Sequence, residues 1–264
     1  MGCKETLFKL YLRFCRKQKK NNRIPRTINS IHIFYRICDV GYPKEKPSYI
    51  TKENCLRNAV LTFPLEKVDW HVVADNVCDE TYQMILRYVP EKFVKRVSVG
   101  HGAGTFRMVL LDALELNDND LIYFLEDDYL HLPKSLENLV ECAECNNEDY
   151  ITLYDHPDKY SYFDGYSLMG EKRELYFTGS HHWKTTCSTT MTFASFVSVL
   201  KRDKKVFMRW TETKHPYDFQ IFIELFLFKK ARLVSPIPSL STHGETKFLA
   251  PGIDWESICY YDKE

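Results

Sequence analysis

The 264-residue sequence has no apolar run of roughly 18 residues, so it lacks a candidate for a membrane-spanning helix. The apolar core of a secretory signal peptide is also missing, because Lys9 and Arg13 interrupt the N-terminal apolar residues. Its nine cysteines are odd in number and lack the spacing of a disulfide framework. We therefore expect a cytoplasmic protein in a reducing compartment. Cys142 and Cys145 form a lone CxxC pair, for which two cysteines on one helix is the favoured interpretation over zinc or redox chemistry.

An excess of charge of either sign is missing too: 36 basic residues balance 36 acidic ones. A generic nucleic-acid-binding protein would be basic, and we expect no nucleic-acid partner. The balance nevertheless conceals two unequal parts. Residues 1–26 contain nine basic residues and one acidic residue, whereas residues 27–264 contain 27 basic and 35 acidic residues. The sequence thus predicts a basic N-terminal arm, residues 1–26, and a folded domain, residues 27–264.

The start of the arm matches the pattern for N-myristoylation, with Gly2 after the initiator methionine and Thr6 at the expected position. Cys3 is a candidate for palmitoylation, and the polybasic stretch 16–26 would add attraction to anionic lipids. Contact with the cytoplasmic face of a membrane is therefore one prediction for the arm. The alternative is a solvated basic segment whose Met-Gly start is coincidental.

Apolar strand patterns alternate with helical patterns in the first half of the domain. Strands are expected at 31–37, 69–76, 94–99 and 120–125, and helices at 51–62, 79–88, 105–116 and 135–145. This alternation predicts an α/β fold with a mostly parallel sheet. The second half is less regular and predicts a mixed part, with a strand at 150–153, antiparallel pairing of 175–182 with 189–194, helices at 194–201 and 218–229, a strand at 232–236, and a loop-rich tail at 239–255.

Polar side chains follow three of the expected parallel strands. Asp39 follows the first, Asp75 and Asn76 end the second, and the acids 126–128 follow the fourth. Ligands of open parallel sheets bind beyond the carboxyl ends of the strands. Carboxylate oxygens there suit Mg²⁺ or Mn²⁺, although acids are also common where a chain leads into a helix.

In the order of its strands and their polar ends, the chain resembles the GT-A glycosyltransferases, best known from family 2, over about residues 28–260. The resemblance rests on the first strand with its polar end (31–39), the second strand with its acidic end (72–76), and Glu126-Asp127-Asp128 in place of a strict Asp-x-Asp motif. It implies a GT-A type α/β domain in which Asp128 is the principal metal ligand and Glu126 a supporting one. The donor-binding residues it implies, together with neighbours of the same strand ends, are Arg36, Asp39, Asp75, Asn76, Gly102, Arg107, Glu126 and Asp127.

Many GT-A enzymes provide a late histidine as a further metal ligand, and His243 is the candidate here. Because an imidazole ligates Mn²⁺ readily, the expected cofactor is Mn²⁺ or, failing that, Mg²⁺. The alternative is a histidine in a surface loop.

Inverting members of the family need a carboxylate base that takes the acceptor proton. Asp218, at the start of the helix expected at 218–229, is the first choice for this base, and Asp155 is the second. Either residue has a plainer interpretation: Asp218 as a helix cap, Asp155 as a contact to acceptor hydroxyls. A retaining enzyme would need no such base.

Further acceptor-binding candidates are His156, Trp183 and Lys184. The Trp183 ring would stack on a sugar, and Lys184 would bind polar groups or the diphosphate; an ordinary hairpin is the alternative. The glycines 100, 102 and 104 lack both the sixth-position glycine of a dinucleotide fingerprint and the Gly-Lys-Ser/Thr of a phosphate loop. We interpret them as a tight turn near the donor, with Arg107 close to its diphosphate, or as a purely structural turn.

The sequence thus predicts a metal-dependent glycosyltransferase that moves a sugar from a nucleotide-sugar donor to a glycan or other hydroxyl acceptor, with inversion preferred. Two alternatives remain open at this point. One is a metal-dependent nucleotidyl or phosphoryl transferase that uses the same acidic strand end. The other is a non-catalytic nucleotide- or glycan-binding protein of the same fold.

Overall fold

The computed structural model describes residues 26–41, 43–146, 148–160 and 173–261. The predictions for Gly2, Cys3 and membrane contact therefore lie outside the described residues. Eleven strands occur in these ranges: β1 (Ile31–Cys38), β2 (Asp69–Asp75), β3 (Val94–Val97), β4 (Leu121–Glu126), β5 (Tyr129–His131), β6 (Tyr150–Ile151), β7 (Leu175–Phe177), β8 (His182–Thr186), β9 (Phe193–Phe196), β10 (Leu233–Ile237) and β11 (Ser241–His243).

Seven α-helices accompany these strands in the described ranges: α1 (Lys52–Thr62), α2 (Asp79–Leu86), α3 (Gly102–Ala113), α4 (Ser135–Asn146), α5 (Val197–Trp210), α6 (Asp218–Lys229) and α7 (Trp255–Cys259). Helix α6 has the predicted bounds. Helix α1 begins one residue later than predicted, because Thr51 is its cap: the Thr51 hydroxyl accepts from the Asn54 amide at 3.1 Å. No helix in these ranges is long and apolar enough to cross a membrane.

Nine strands form the main sheet, in the order β3-β2-β1-β4-β9-β6-β10-β8-β7. The first four are mutually parallel, β9 runs antiparallel to β4 and β6, and β10 is parallel to β6. The expected α/β class, with a mostly parallel sheet and a mixed C-terminal part, is confirmed. Strands β5 and β11 form a separate antiparallel pair beside the main sheet.

The pairing expected in the second half was wrong. Strand β7 pairs with β8 as a hairpin, whereas β9 lies between β4 and β6. All four residues of β9, Phe193–Phe196, are buried, which suits an interior strand rather than one arm of a hairpin. The loop-rich tail predicted at 239–255 contains β11, whose three residues are too few to give a periodic signal.

Aromatic side chains fill the core on the helical side of β4 and β9. Phe193 packs against Phe207 with ring centroids 5.7 Å apart, and against Phe106, Phe124 and Tyr150 at 5.3–6.2 Å. Such pairs add to the stabilisation that comes from burying their area. These contacts pack β4 and β9 against α3 and α5.

Candidate active site at the carboxyl edge of the sheet

The parallel strands bring the predicted strand-end acids to one edge. Arg36 of β1 lies opposite Glu126 of β4, and Cys38 lies opposite Asp75 of β2. The Cys38 amide donates to Asp127 Oδ2 at 3.1 Å, which ties the turn after β4 to the end of β1. These contacts make the polar residues at the ends of β1, β2 and β4 neighbours.

Asp128 is the most enclosed acid of this edge, at 2% exposure. Its Oδ2 accepts from Lys44 Nζ at 2.8 Å and lies 3.2 Å from Lys46 Nζ and 3.5 Å from His243 Nε2. Its Oδ1 is buried without a hydrogen-bond partner among the described residues. A buried carboxylate oxygen without a partner is costly, because it has given up water without gaining a hydrogen-bond donor.

The β5–β11 pair explains why His243 is here. His243 lies directly opposite Tyr129, the residue that follows Asp128, and the Gly244 amide donates to the Asp128 carbonyl at 2.7 Å. A Cβ on Gly244 would come within 2.8 Å of that same carbonyl, so only glycine permits this close approach. Asp128 and His243, which were both predicted as metal ligands, are therefore neighbours in the structure.

The electrostatics of the cluster differ between the two aspartates. Burial, together with the neighbouring Asp128 charge, raises the pKa of Asp127 to about 6. Burial alone would also raise the pKa of Asp128, but His243, Lys44 and Lys46 outweigh it and hold that pKa well below its usual range. Burial lowers the pKa of His243 more than the Asp128 charge raises it, and His243 Nε2 lies 3.2 Å from the Lys44 ammonium.

The side chain of Glu126, the predicted supporting metal ligand, pairs with Arg36. Its Oε1 accepts from the Arg36 guanidinium at 3.0 Å. The same guanidinium donates to the carbonyls of Gly102 at 3.3 Å and Met191 at 3.2 Å, and it is only 6% exposed. Arg36 therefore ties β1, β4, the start of α3 and the segment before β9 together, and its predicted contact with the donor stays a prediction.

The side chains present do not fit a divalent cation. Within the described ranges, no group of three or more His, Cys, Asp or Glu side chains is arranged to hold a metal ion. The predicted set of Glu126, Asp128 and His243 is not assembled, because Glu126 pairs with Arg36 and the Lys44 ammonium lies between the other two. Two ammonium groups beside Asp128 repel a further cation at this position.

Asp39 and Asp75 bind backbone at the same edge. Asp39 accepts from the Cys78 amide at 2.8 Å and pairs with Lys52 at 3.0 Å. Burial raises its pKa, but these contacts and one from Thr81 lower it overall. Asp75 accepts from the Val99 amide at 2.6 Å and the Gly100 amide at 2.9 Å. Both carboxylates thus hold the ends of neighbouring loops, and their donor-binding role stays a prediction.

Asn76 belongs to the same loop contacts, with its side chain donating to Asp75 at 3.1 Å and accepting from the Ser98 hydroxyl at 2.6 Å. The glycine turn is a helix start: α3 begins at Gly102 rather than Thr105, because the His101 imidazole accepts from the Gly104 amide at 3.0 Å and caps the helix. Gly102 is exposed and Arg107 is half-buried on α3; their proximity to a diphosphate stays a prediction.

Two of the three acceptor-binding candidates need correction. Trp183 is completely buried, and its indole donates to the Thr178 hydroxyl at 3.3 Å, so its ring has no face for a sugar. Lys184 is equally buried and pairs with Asp155 at 2.5 Å, which keeps its ammonium away from a bound diphosphate. Asp155 also accepts from Tyr160, so the arrangement favours an interior ion pair over a catalytic base for Asp155.

The remaining candidates are more open. His156 is half-buried, and its Nδ1 accepts from the Asp158 amide at 3.1 Å, while its ring packs against Phe248. Asp218 is the first residue of α6 and accepts from the Phe219 amide at 2.9 Å. Acceptor binding by His156 and base catalysis by Asp218 stay predictions. Cys142 is buried and Cys145 is exposed on α4, and neither forms a disulfide within the described ranges, which agrees with two cysteines on one helix.

Lys44 and Lys46 are the site residues that sequence reasoning missed. They lie in a loop after β1 that carried no strand or helix pattern. The available signal was the pair of lysines, one residue apart, following a strand whose neighbours end in acids.

No protein-family model and no curated protein sequence matches the chain. Among solved structures, it is similar to galactosyltransferase LgtC in complex with donor and acceptor sugar analogues, at 12% identity and a TM-score of 0.41 over 73% of this chain and 69% of that one. It is also similar to 4-diphosphocytidyl-2C-methyl-D-erythritol synthase from Anaerococcus prevotii, at 10% identity and a TM-score of 0.44 over 78% of this chain and 87% of that one. These are distant likenesses of fold.

Proposed function

We propose that the chain is a glycosyltransferase that moves a sugar from a nucleotide-sugar donor to a hydroxyl acceptor. The observation that carries the proposal is the Asp128 cluster at the carboxyl edge of the parallel strands, the edge where such sheets bind their ligands. A buried carboxylate with an unsatisfied oxygen lies there beside two cationic side chains. The two ammonium groups, held by that carboxylate, are complementary to the diphosphate of a nucleotide donor.

In this proposal, the other strand ends shape the donor site. Asp39 and Asp75 hold the loops that follow β2 and β3, and Arg36 fixes Glu126. Asp218 acts as the base that takes the acceptor proton if the reaction inverts configuration. The acceptor is a glycan or another hydroxyl compound, and the basic arm, residues 1–26, brings the domain to an anionic membrane surface.

The test is a panel of UDP-, GDP-, CMP- and dTDP-linked sugars, incubated with the full chain in Mn²⁺, in Mg²⁺ and in EDTA. Release of the free nucleotide from one donor is expected, with water taking the place of the acceptor hydroxyl. Asp128→Ala should abolish this release, and the exposed Asp118→Ala should retain it. Failure of every donor to bind or react, with Asp128→Ala changing nothing, would refute the proposal.

The same assay separates the alternatives. Consumption of a nucleoside triphosphate with release of pyrophosphate would indicate a nucleotidyl transferase instead. Binding of a donor without turnover, undiminished by Asp128→Ala, would indicate a non-catalytic binding protein.

A further inference from the structure

We propose that the ammonium groups of Lys44 and Lys46 hold the donor diphosphate where a GT-A enzyme would be expected to use a divalent metal, and that transfer proceeds without one. This inference rests on the proposed function and assigns the groups that bind its leaving group. Three independent features of the described residues support it: the position of Lys44, the charge of the pair, and the way the loop is held.

The position of Lys44 is the first feature. Its Nζ lies 2.8 Å from Asp128 Oδ2 and 3.2 Å from His243 Nε2, the two predicted metal ligands that the fold does bring together. An ammonium that contacts both of them occupies the place of the expected cation.

The charge of the pair is the second feature. Together, Lys44 and Lys46 carry the two positive charges that a divalent ion would bring. Both lie within 3.2 Å of the same Asp128 oxygen, whose charge they hold in place. The Asp128 side chain is 3% exposed, whereas those of Lys44 and Lys46 are 18% and 30% exposed. The lysines are therefore the face of the cluster that a diphosphate can approach.

The loop is held in place, which is the third feature. The Glu45 carbonyl, between the two lysines, accepts from the Thr246 amide at 2.8 Å and from the Thr246 hydroxyl at 3.1 Å. The loop is thus fastened to the segment that directly follows His243 and Gly244. A flexible surface lysine needs no such double attachment, and pre-organised cationic groups bind a developing charge most effectively.

The chemical step balances without a metal. The bond between the anomeric carbon and the diphosphate oxygen breaks, and its electron pair leaves with the nucleoside diphosphate. A bond forms between the acceptor oxygen and the anomeric carbon, and the acceptor proton passes to a carboxylate base. The ammonium groups of Lys44 and Lys46 compensate the charge that develops on the leaving diphosphate.

The direct test measures binding of UDP and of GDP to the full chain by calorimetry in excess EDTA. We expect one of them to bind, and Lys46→Met to weaken that binding roughly ten- to hundredfold, the loss typical of a charged hydrogen bond. Lys46→Arg should restore most of the affinity. The exposed Lys95→Met, on β3, is the matched control and should bind as the original chain does. Lys46 is preferred over Lys44 because removing the more buried lysine also threatens folding.

A second measurement follows the paramagnetic resonance signal of free Mn²⁺ on addition of the chain. The inference predicts an undiminished signal, and donor turnover that persists in EDTA. It is overturned if turnover requires Mn²⁺ or Mg²⁺ while Lys46→Met behaves like the original chain. That result would leave the proposed function intact, whereas absence of nucleotide binding under every condition would overturn both.

Discussion

Lys44 donates to Asp128 across 84 positions of sequence, at 2.8 Å, at the edge where the parallel strands end. The contact joins the loop after the first strand to the acidic turn after the fourth. The acids 126–128 suggested a metal site from sequence, but in the structure the lysines 44 and 46 provide positive charge beside Asp128.

Asp75 should contribute mainly to stability. Its carboxylate accepts from the amides of Val99 and Gly100, so Asp75→Ala leaves these donors unpaired. We expect the free energy of unfolding to fall by about 1.5–3 kcal/mol, measured by urea denaturation. Asp79→Ala, which removes a largely exposed carboxylate, is the control and should cost about 1 kcal/mol or less. An Asp75→Ala variant as stable as the original, with weaker nucleotide binding, would assign Asp75 to the donor instead.

Gly244 should tolerate no side chain. A Cβ there would meet Ile50 Cγ2 at 2.4 Å and the Asp128 carbonyl at 2.8 Å. Gly244→Ala is therefore expected to cost about 1–3 kcal/mol of stability, the usual penalty of overpacking. In Gly41→Ala, the added Cβ meets no described atom within 4 Å, and we expect a change within about 0.5 kcal/mol. Equal thermal midpoints for the two variants would contradict the close approach of β11 to Asp128.

His131 should make stability depend on pH. Burial lowers its pKa from 6.5 to about 3, and the ring packs against Phe63 and bonds to the Tyr123 hydroxyl. Between these pH values the unfolded chain binds one more proton, so this contribution to stability is present above pH 6.5 and is lost as the pH falls, by up to about 1.4 kcal/mol per pH unit.

The measurement is the urea-unfolding free energy of the original chain and of His131→Gln as the pH is lowered. His131→Gln should show the shallower decline, and the exposed His215→Gln should decline like the original. Identical slopes for His131→Gln and the original chain would show that the buried ring takes up a proton in the folded state.

Lys184 should act as an interior partner of Asp155. Both side chains are buried, so Lys184→Met leaves an unpaired carboxylate in the interior and should cost about 3–5 kcal/mol. The double variant Lys184→Met, Asp155→Leu should recover much of that loss because it removes both charges. A Lys184→Met variant of unchanged stability that binds acceptor poorly would restore the acceptor role predicted from sequence.

The sequence was sufficient where a pattern is long and local. The β4 run of five apolar residues ending in acids predicted both a buried strand and the polar edge, and α6 was predicted with its correct bounds. The sequence was insufficient where the structure depends on very short strands or on contacts between residues far apart in the chain. Strands β5 and β11 have three residues each, so their pairing, which brings His243 to Asp128, leaves no periodic trace. The Lys44 contact spans two loops, and the burial of Trp183 depends on the β7–β8–β10 packing.

The most direct test is release of nucleotide from the panel of nucleotide-sugars by the full chain in excess EDTA, comparing the original with Asp128→Asn. We expect one donor to release its nucleotide without added metal, and Asp128→Asn to lose about two to three orders of magnitude in rate, because the lysine pair loses its anchor. Release from no donor, or an Asp128→Asn variant as fast as the original, would contradict this expectation.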